Sequence, residues 1–320
     1  MKLQIGKPCA WLIVILCLTG GHESLFAQTD ADAIMMAKNN YCSGIMYGNS
    51  QWDQYWEGTL KRNNLNLGTV STEMVGYMGN YGLSDKLNVL FGLPYVSTKA
   101  SAGTLHGQQG LQDLSVWVKW MPYEKKLGKG TLSLYGIGGY SLPVSNYIAD
   151  YLPLSIGLHT QNLSLRAMAD YQVGNLFATV SGTYIVRSNI TIDRTSYYTT
   201  SLHLTNQVDM PNASSYSIRA GYRSDRLIAE AIFDSWITNG GFDITRNNMP
   251  FPSNRMNSST LGVNIKYTLK SIQGLSLIGG GNYTLAGRNV GQATAYNGGV
   301  FYILDFTHKQ KKSTPTSNKK

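Results

Sequence analysis

Along most of this chain apolar residues recur at every second position, with polar residues between them. Residues 163–186 give the clearest case: Leu163, Leu165, Ala167, Ala169, Tyr171 and Val173 form one row, and the intervening row carries Arg166 and Asp170. Beyond Gly174-Asn175, the row Ala178, Val180, Gly182, Tyr184 and Val186 alternates with Thr179, Ser181 and Thr183, so the register survives the turn. A period of two is that of a β-strand, whose side chains alternate between faces. The alternation returns at 215–223, where Tyr216, Ile218, Ala220 and Tyr222 oppose Arg219 and Arg223, and at 227–234, where Leu227, Ala229, Ala231 and Phe233 oppose Glu230 and Asp234. It continues at 261–269, with Lys266 on the polar row, at 275–285 and in the closing run 293–306. Earlier runs lie at 69–81, 87–96, 110–121 and 131–142, preceded by a weaker one at Trp56–Asn63. The pattern predicts about twelve strands.

The connectors have a parity of their own. Short turns at "GLSDK", "PYEKKLGKG", "GN", "SDR" and "KSIQG" alternate with longer links at 97–109, 143–161, 187–214 and 238–259, rich in Asn, Ser and Thr. The links at 63–68 and 287–292 are expected to be short. Short turns at one rim and long loops at the other are the habit of outer-membrane barrels.

Alternation alone does not decide which face is inside, because a soluble β-sandwich would bury the same apolar rows. Strand length separates the two: these runs of about ten residues suit a tilted membrane crossing, whereas soluble strands usually have about five or six. Tyr recurs on the apolar rows near strand ends. The composition agrees, with 34 Gly and 21 Tyr among 320 residues and only 14% charged. The expected fold is therefore all-β, a transmembrane antiparallel β-barrel of about twelve strands over residues 56–306. Apolar rows face lipid and polar rows the lumen. Hydrocarbon cannot satisfy an open sheet edge, so the sheet must close.

The termini add localisation. Residues 1–27 begin with Lys2 and Lys7, followed by an apolar run from Ala10 to Leu18 that is too short to span a bilayer, and read as a secretory signal peptide. Cleavage after Ala27 is expected, with Gly21 as the alternative; the bulk of Leu16 argues against lipidation at Cys17. Cys42 is then the sole cysteine of the mature chain, which excludes an internal disulfide. Of the formal +9, five charges are lysines of the tail 307–320 and one net charge lies in the signal, leaving +3 for the body. That balance, without aromatic and basic residues interleaved, points away from nucleic acid. Residues 28–55 are apolar in patches and are expected to form an arm, an added edge segment or a plug folded back into the lumen.

Two stretches, "YGLSDKLNVLFGLPYVS" at 81–97 and "GLQDLSVWVKW" at 110–120, resemble the family described as "MetA-pathway of phenol degradation". The matching positions are Tyr81, Gly82, Leu83, Ser84, Asp85, Pro94 and Tyr95, then Gly110, Leu111, Asp113 and Leu114; Gln112 stands where the family usually has Gly. The resemblance implies an outer-membrane barrel that admits hydrophobic or aromatic small molecules, distantly like the long-chain fatty acid transporters. The closing row Tyr296, Val300, Tyr302, Leu304, Phe306 similarly resembles the terminal signal read by the barrel-assembly machinery of Gram-negative bacteria, although residues follow Phe306 here.

The candidate functional residues are the ionisable members of the polar rows: Arg166, Asp170, Arg219, Arg223, Glu230, Asp234 and Lys266, on strands that are neighbours apart from one intervening strand. Rings of this kind select solutes by charge. The competing expectation is structural, with Arg219 and Arg223 paired to Glu230 and Asp234 across their hairpin. In the link 187–214, Tyr197, Tyr198 and His203 are candidates for an outer contact with solute. No catalytic residue, metal ligand or cofactor is expected, because His106, His159 and His203 fall in loops without a nucleophile motif and no metal-ligand spacing occurs. The expected partners are outer-membrane lipid, the assembly machinery and a small solute. The function classes in play are a channel or transporter, a structural or surface-contact barrel, and an outer-membrane lipid hydrolase.

Overall fold

The computed structural model describes residues 29–245 and 250–307; the expected signal peptide and the basic tail from His308 onward lie outside the described residues. Twelve long strands follow one another: β1 (Asn40–Trp52), β2 (Val70–Ser84), β3 (Leu87–Ala100), β4 (Asp113–Leu127), β5 (Gly130–Pro143) and β6 (Asn162–Val173). The second half holds β7 (Leu176–Arg187), β8 (Ala213–Arg223), β9 (Leu227–Thr238), β10 (Asn257–Thr268), β11 (Leu275–Arg288) and β12 (Thr294–Asp305). Each pairs antiparallel with the next, and β1 pairs with both β2 and β12, which closes the sheet into a barrel. Closure leaves no long edge unpaired. Gly174 supports the hairpin read first in the sequence, at φ +58°, a conformation in which a Cβ is strained.

The first strand is a correction. Residues 40–52, expected to belong to an arm or plug, are the closing strand, with Asn40 opposite Asp305 and Trp52 opposite Val70. The run at 56–63 instead forms most of a small hairpin, Gln54–Glu57 against Leu60–Asn63, within the first long loop. Four residues per arm cannot cross a bilayer, whereas β1 has thirteen. The alternation of β1 is faint because Met46 sits on its inward row while Asn49 and Gln51 sit on the outward one. The loop between β1 and β2 is consequently long, not short as expected, which leaves the link 289–293 between β11 and β12 as the short one at the long-loop rim.

The burial pattern inverts that of a soluble protein. Leu165, Val180 and Ile218 are 64%, 51% and 54% exposed, whereas Lys119 is fully buried and Asp170 and Lys266 are 4% exposed. The apolar rows form an outer belt and the charges sit within. An Arg moved to the belt at mid-membrane would cost about 2–4 kcal/mol, which explains why the rows keep their chemistry apart.

At the long-loop rim the connectors pack over the mouth with cores of their own. Ile190, Ile192, Tyr197, Val208, Met210 and Phe251 form one cluster, and Leu154 meets Leu67 and Val70 in another. The Thr98 hydroxyl donates to the Leu154 carbonyl at 2.5 Å, tying the 144–161 link to β3. Asn289 fastens three loops: its Oδ1 accepts from the Gly58 and Ile244 N–H groups, and its Nδ2 donates to Asp243 and to the Arg255 carbonyl.

Candidate functional site

The lumen is occupied. Ahead of β1, the extended segment 29–38 lies inside the barrel, rooted at the short-turn rim where the Lys38 N–H donates to Asp85 Oδ1 (3.0 Å) and the Asn39 N–H to the Gly82 carbonyl (2.9 Å). An extended segment without a strand partner has backbone carbonyls to satisfy. Long cationic side chains from the wall supply the donors. Lys119 Nζ on β4 donates to the Thr29 carbonyl (2.6 Å), the Asp32 carbonyl (2.9 Å) and carboxylate (3.1 Å), and the Ile34 carbonyl (3.2 Å). Arg166 on β6 donates to the Asp30 carbonyl (2.9 Å) and carboxylate (3.0 Å) while Thr183 accepts from its Nε. Arg219 on β8 reaches the Ala31 carbonyl (2.7 Å), and the Tyr135 hydroxyl on β5 the Ala33 carbonyl (2.9 Å).

The apolar residues of the segment face apolar wall. Ala33 and Met35 pack with Met121, Tyr135, Ile137 and Met168; Met36 packs with Cys42, Phe301 and Ile303. Burial on its own would raise the Asp32 carboxyl. Lys119, the Thr29 N–H and Arg219 together outweigh it and hold the group below the usual carboxylate range.

Behind this socket the wall carries two ion-pair networks. Arg219 Nη2 donates to Glu230 Oε1 at 2.7 Å, and Asn264 donates to the same oxygen at 3.1 Å. Asp170 accepts from Arg223 through Nη1 (2.9 Å) and Nη2 (3.2 Å) and from the Thr179 hydroxyl (2.5 Å), with the guanidinium 3.9 Å from the Phe177 ring centroid. The expected Arg219–Glu230 pair is therefore present, but Arg223 pairs with Asp170 and not with Asp234. Register explains the difference. Arg223 stands opposite Ile228, and Asp234 is six residues further along β9, about 20 Å at strand rise.

Beside segment 29–38, toward β8–β12, a cavity of about 320 Å³ remains. Its wall combines Met46, Met78, Ile232 and Ile278 with Asp234, which is exposed to it. A larger hollow of about 730 Å³ lies on the outward face, where Gly136, Ala167 and Gly182 thin the apolar belt between Trp120 and Tyr216; it is part of the lipid-facing surface.

The outer-loop candidates separate. Tyr197 is 8% exposed and stacks on both His203 (4.7 Å between centroids) and Phe251 (5.3 Å), so its ring is used in packing the lid. His203 Nε2 is 2.9 Å from the Thr199 hydroxyl, and Tyr198 alone projects, at 59% exposure. Sequence reading missed Lys119, Asp30, Asp32 and Tyr135. A signal for Lys119 was present in "VWVKW", where a single Lys interrupts an aromatic and β-branched strand on its inward row.

No family model matches the chain, and no curated protein sequence matches it. The resemblance to the phenol-degradation family thus rests on the two quoted stretches alone. Among solved structures, the crystal structure of the COG4313 outer membrane channel from Pseudomonas putida F1 is similar over 87% of this chain and 100% of that one, with TM-score 0.67 and 14% identity. The translocator domain of autotransporter NalP from Neisseria meningitidis has TM-score 0.44 at 11% identity, over 83% of this chain and 88% of that one. Pseudomonas aeruginosa OccK9 (OpdG) has TM-score 0.37 at 8% identity, over 83% and 97%. The fold is that of an outer-membrane β-barrel.

Proposed function

We propose that this protein is an outer-membrane channel for small hydrophobic or aromatic solutes, which pass through a barrel lumen that segment 29–38 occupies in the resting state. The observation that carries this reading is a socket of wall cations holding an extended chain inside a closed barrel, with a part-apolar cavity beside it. A barrel used only as a scaffold has no need of so much lumen chemistry, and an apolar core would be as stable at less risk of unpaired charge. The fold shared with a solved outer membrane channel supports the reading, as do the stretches at 81–97 and 110–120 that resemble the phenol-degradation family. The short-turn rim then faces the periplasm and the loop lid the cell exterior.

The lumen residues divide by role. Arg166 and Arg219 hold the segment; Asp170, Arg223 and Glu230 stiffen the wall; Asp234 and Lys266 line the passage. The reading assigns no chemical step to any of them. It is tested by measuring accumulation of a panel of apolar and aromatic solutes in cells with and without the gene, alongside single-channel conductance of the purified protein. Uptake of at least one aromatic solute should depend on the gene. Equal uptake across the panel, with no conductance under any condition, would leave a structural barrel as the better account.

A further inference from the structure

Resting on that reading, we infer that the cavity beside segment 29–38 selects solutes with a positively charged head on an apolar body, that is, small organic ammonium ions, and that Asp234 is the group that recognises the charge.

The inference follows from which charges remain accessible. Seven ionisable side chains border the cavity, and most are already committed. Asp30 is paired with Arg166, and Asp32 with Lys119. Arg219 and Glu230 pair with each other, and Arg223 turns away to Asp170. Lys266 lines the cavity but is only 4% exposed, so it offers a solute little contact. Asp234 is different: it is exposed to the cavity and makes no hydrogen bond or ion pair with another described residue. Counted with their partners Arg166, Lys119 and Asp170, these charges balance, and the one exposed ion among them is a carboxylate. An anionic solute would meet that carboxylate, while the two guanidiniums at the border are already ion-paired to Glu230 and Asp170. A cation finds an unused acceptor.

Part of the remaining wall fits an apolar body. Met46, Met78, Ile232 and Ile278 face it, and the thioethers can adapt to rings of different shape. Gly299 stands inward opposite Met46, and a Cβ there would collide with the Met46 sulfur, so the glycine gives that side chain its place. A volume of about 320 Å³ is at the lower end for small-molecule sites, suited to a single ring with a short substituent. The arrangement, one unpaired carboxylate in a wall that elsewhere mixes apolar side chains with amides and ion-paired groups, orients an amphipathic solute as it passes.

The test is titration calorimetry on the full-length protein in detergent with three probes of one shape: benzylammonium, benzyl alcohol and benzoate. Benzylammonium should bind at least tenfold more tightly than benzyl alcohol, with benzoate weakest. Asp234→Asn should abolish the preference while Asp234→Glu retains it, both variants keeping the heat-shifted gel mobility of the folded barrel. Equal affinity for benzylammonium and benzyl alcohol, or a preference that survives D234N, overturns the inference and leaves the channel reading standing. If none of the three binds and none is taken up by cells carrying the gene, both fail together.

Discussion

Replacing Lys119 by Met tests the heart of the gating idea, because it removes the ammonium and retains most of the stem. In the structure that ammonium, fully buried, serves four oxygens of residues 29, 32 and 34. It has three N–H groups, so one contact is shared. A hydrogen bond to a charged group contributes about 1.5–3 kcal/mol net, and breaking a buried ion pair by deleting one partner costs about 3–5 kcal/mol. In K119M the Asp32 carboxylate would keep its hydrogen bonds from Thr29 and Ile34 but stay buried without its paired cation unless the segment left the lumen to hydrate it. Taking about 3 kcal/mol as the loss in docking, at about 1.4 kcal/mol per tenfold, the occupied-to-vacated ratio falls roughly a hundredfold. The assay is planar-bilayer recording of wild type and K119M, with gel heat-shift to establish that both barrels are folded. The variant should show a large rise in the fraction of time spent in a high-conductance state. A folded K119M with the conductance and open fraction of wild type would refute the claim that this socket keeps the lumen closed.

Three further outcomes are expected. The wall contributes Lys119, Arg166, Arg219, Arg223 and Lys266 against Asp170, Glu230 and Asp234, so Asp30 and Asp32 balance the lumen; the double variant D30N/D32N should move the reversal potential in a salt gradient toward anion preference, and an unchanged potential would argue that the segment lies outside the conducting path. Because the Asp32 carboxyl is held below its ordinary value of 3.8, its contribution to docking is complete above that value and is lost only as pH falls through the lower folded value; conductance should therefore stay low from pH 8 to pH 5 and rise below about pH 4, and opening near neutrality would contradict the sign. Val180→Arg places a charge on the outward belt and should destabilise the barrel in lipid vesicles by about 2–4 kcal/mol in urea titrations; no loss of stability would mean that this row does not face lipid.

Much of the architecture was legible because the period of two is enforced strand by strand. Lipid on one side and a polar lumen on the other penalise any residue on the wrong row, so β5 to β12 could be placed nearly to their ends. β1 was hidden because its rows are mixed: glycines and Met46 take the inward positions and Asn49 and Gln51 the outward ones near the rim, where the penalty fades. The Arg223 partner was misassigned for a different reason. Reading charges within one hairpin pairs it with Asp234, yet a long guanidinium can cross β7 over the Phe177 ring to reach Asp170, and only the register of three strands makes that distance short.

The sequence by itself determined that the chain forms a long-stranded barrel with oily rows and ionic rows kept apart, since that depends on nearest neighbours along each strand and on the solvent each face must meet. Tertiary structure alone decided that the barrel is filled. Segment 29–38 carries no periodicity, and its place is fixed by donors from β4, β5, β6 and β8, each far away in the chain and brought together only when β1 closes the cylinder onto β12. Backbone carbonyls look alike in any sequence. Which of them a buried lysine will hold is settled by the curvature of the wall that delivers it.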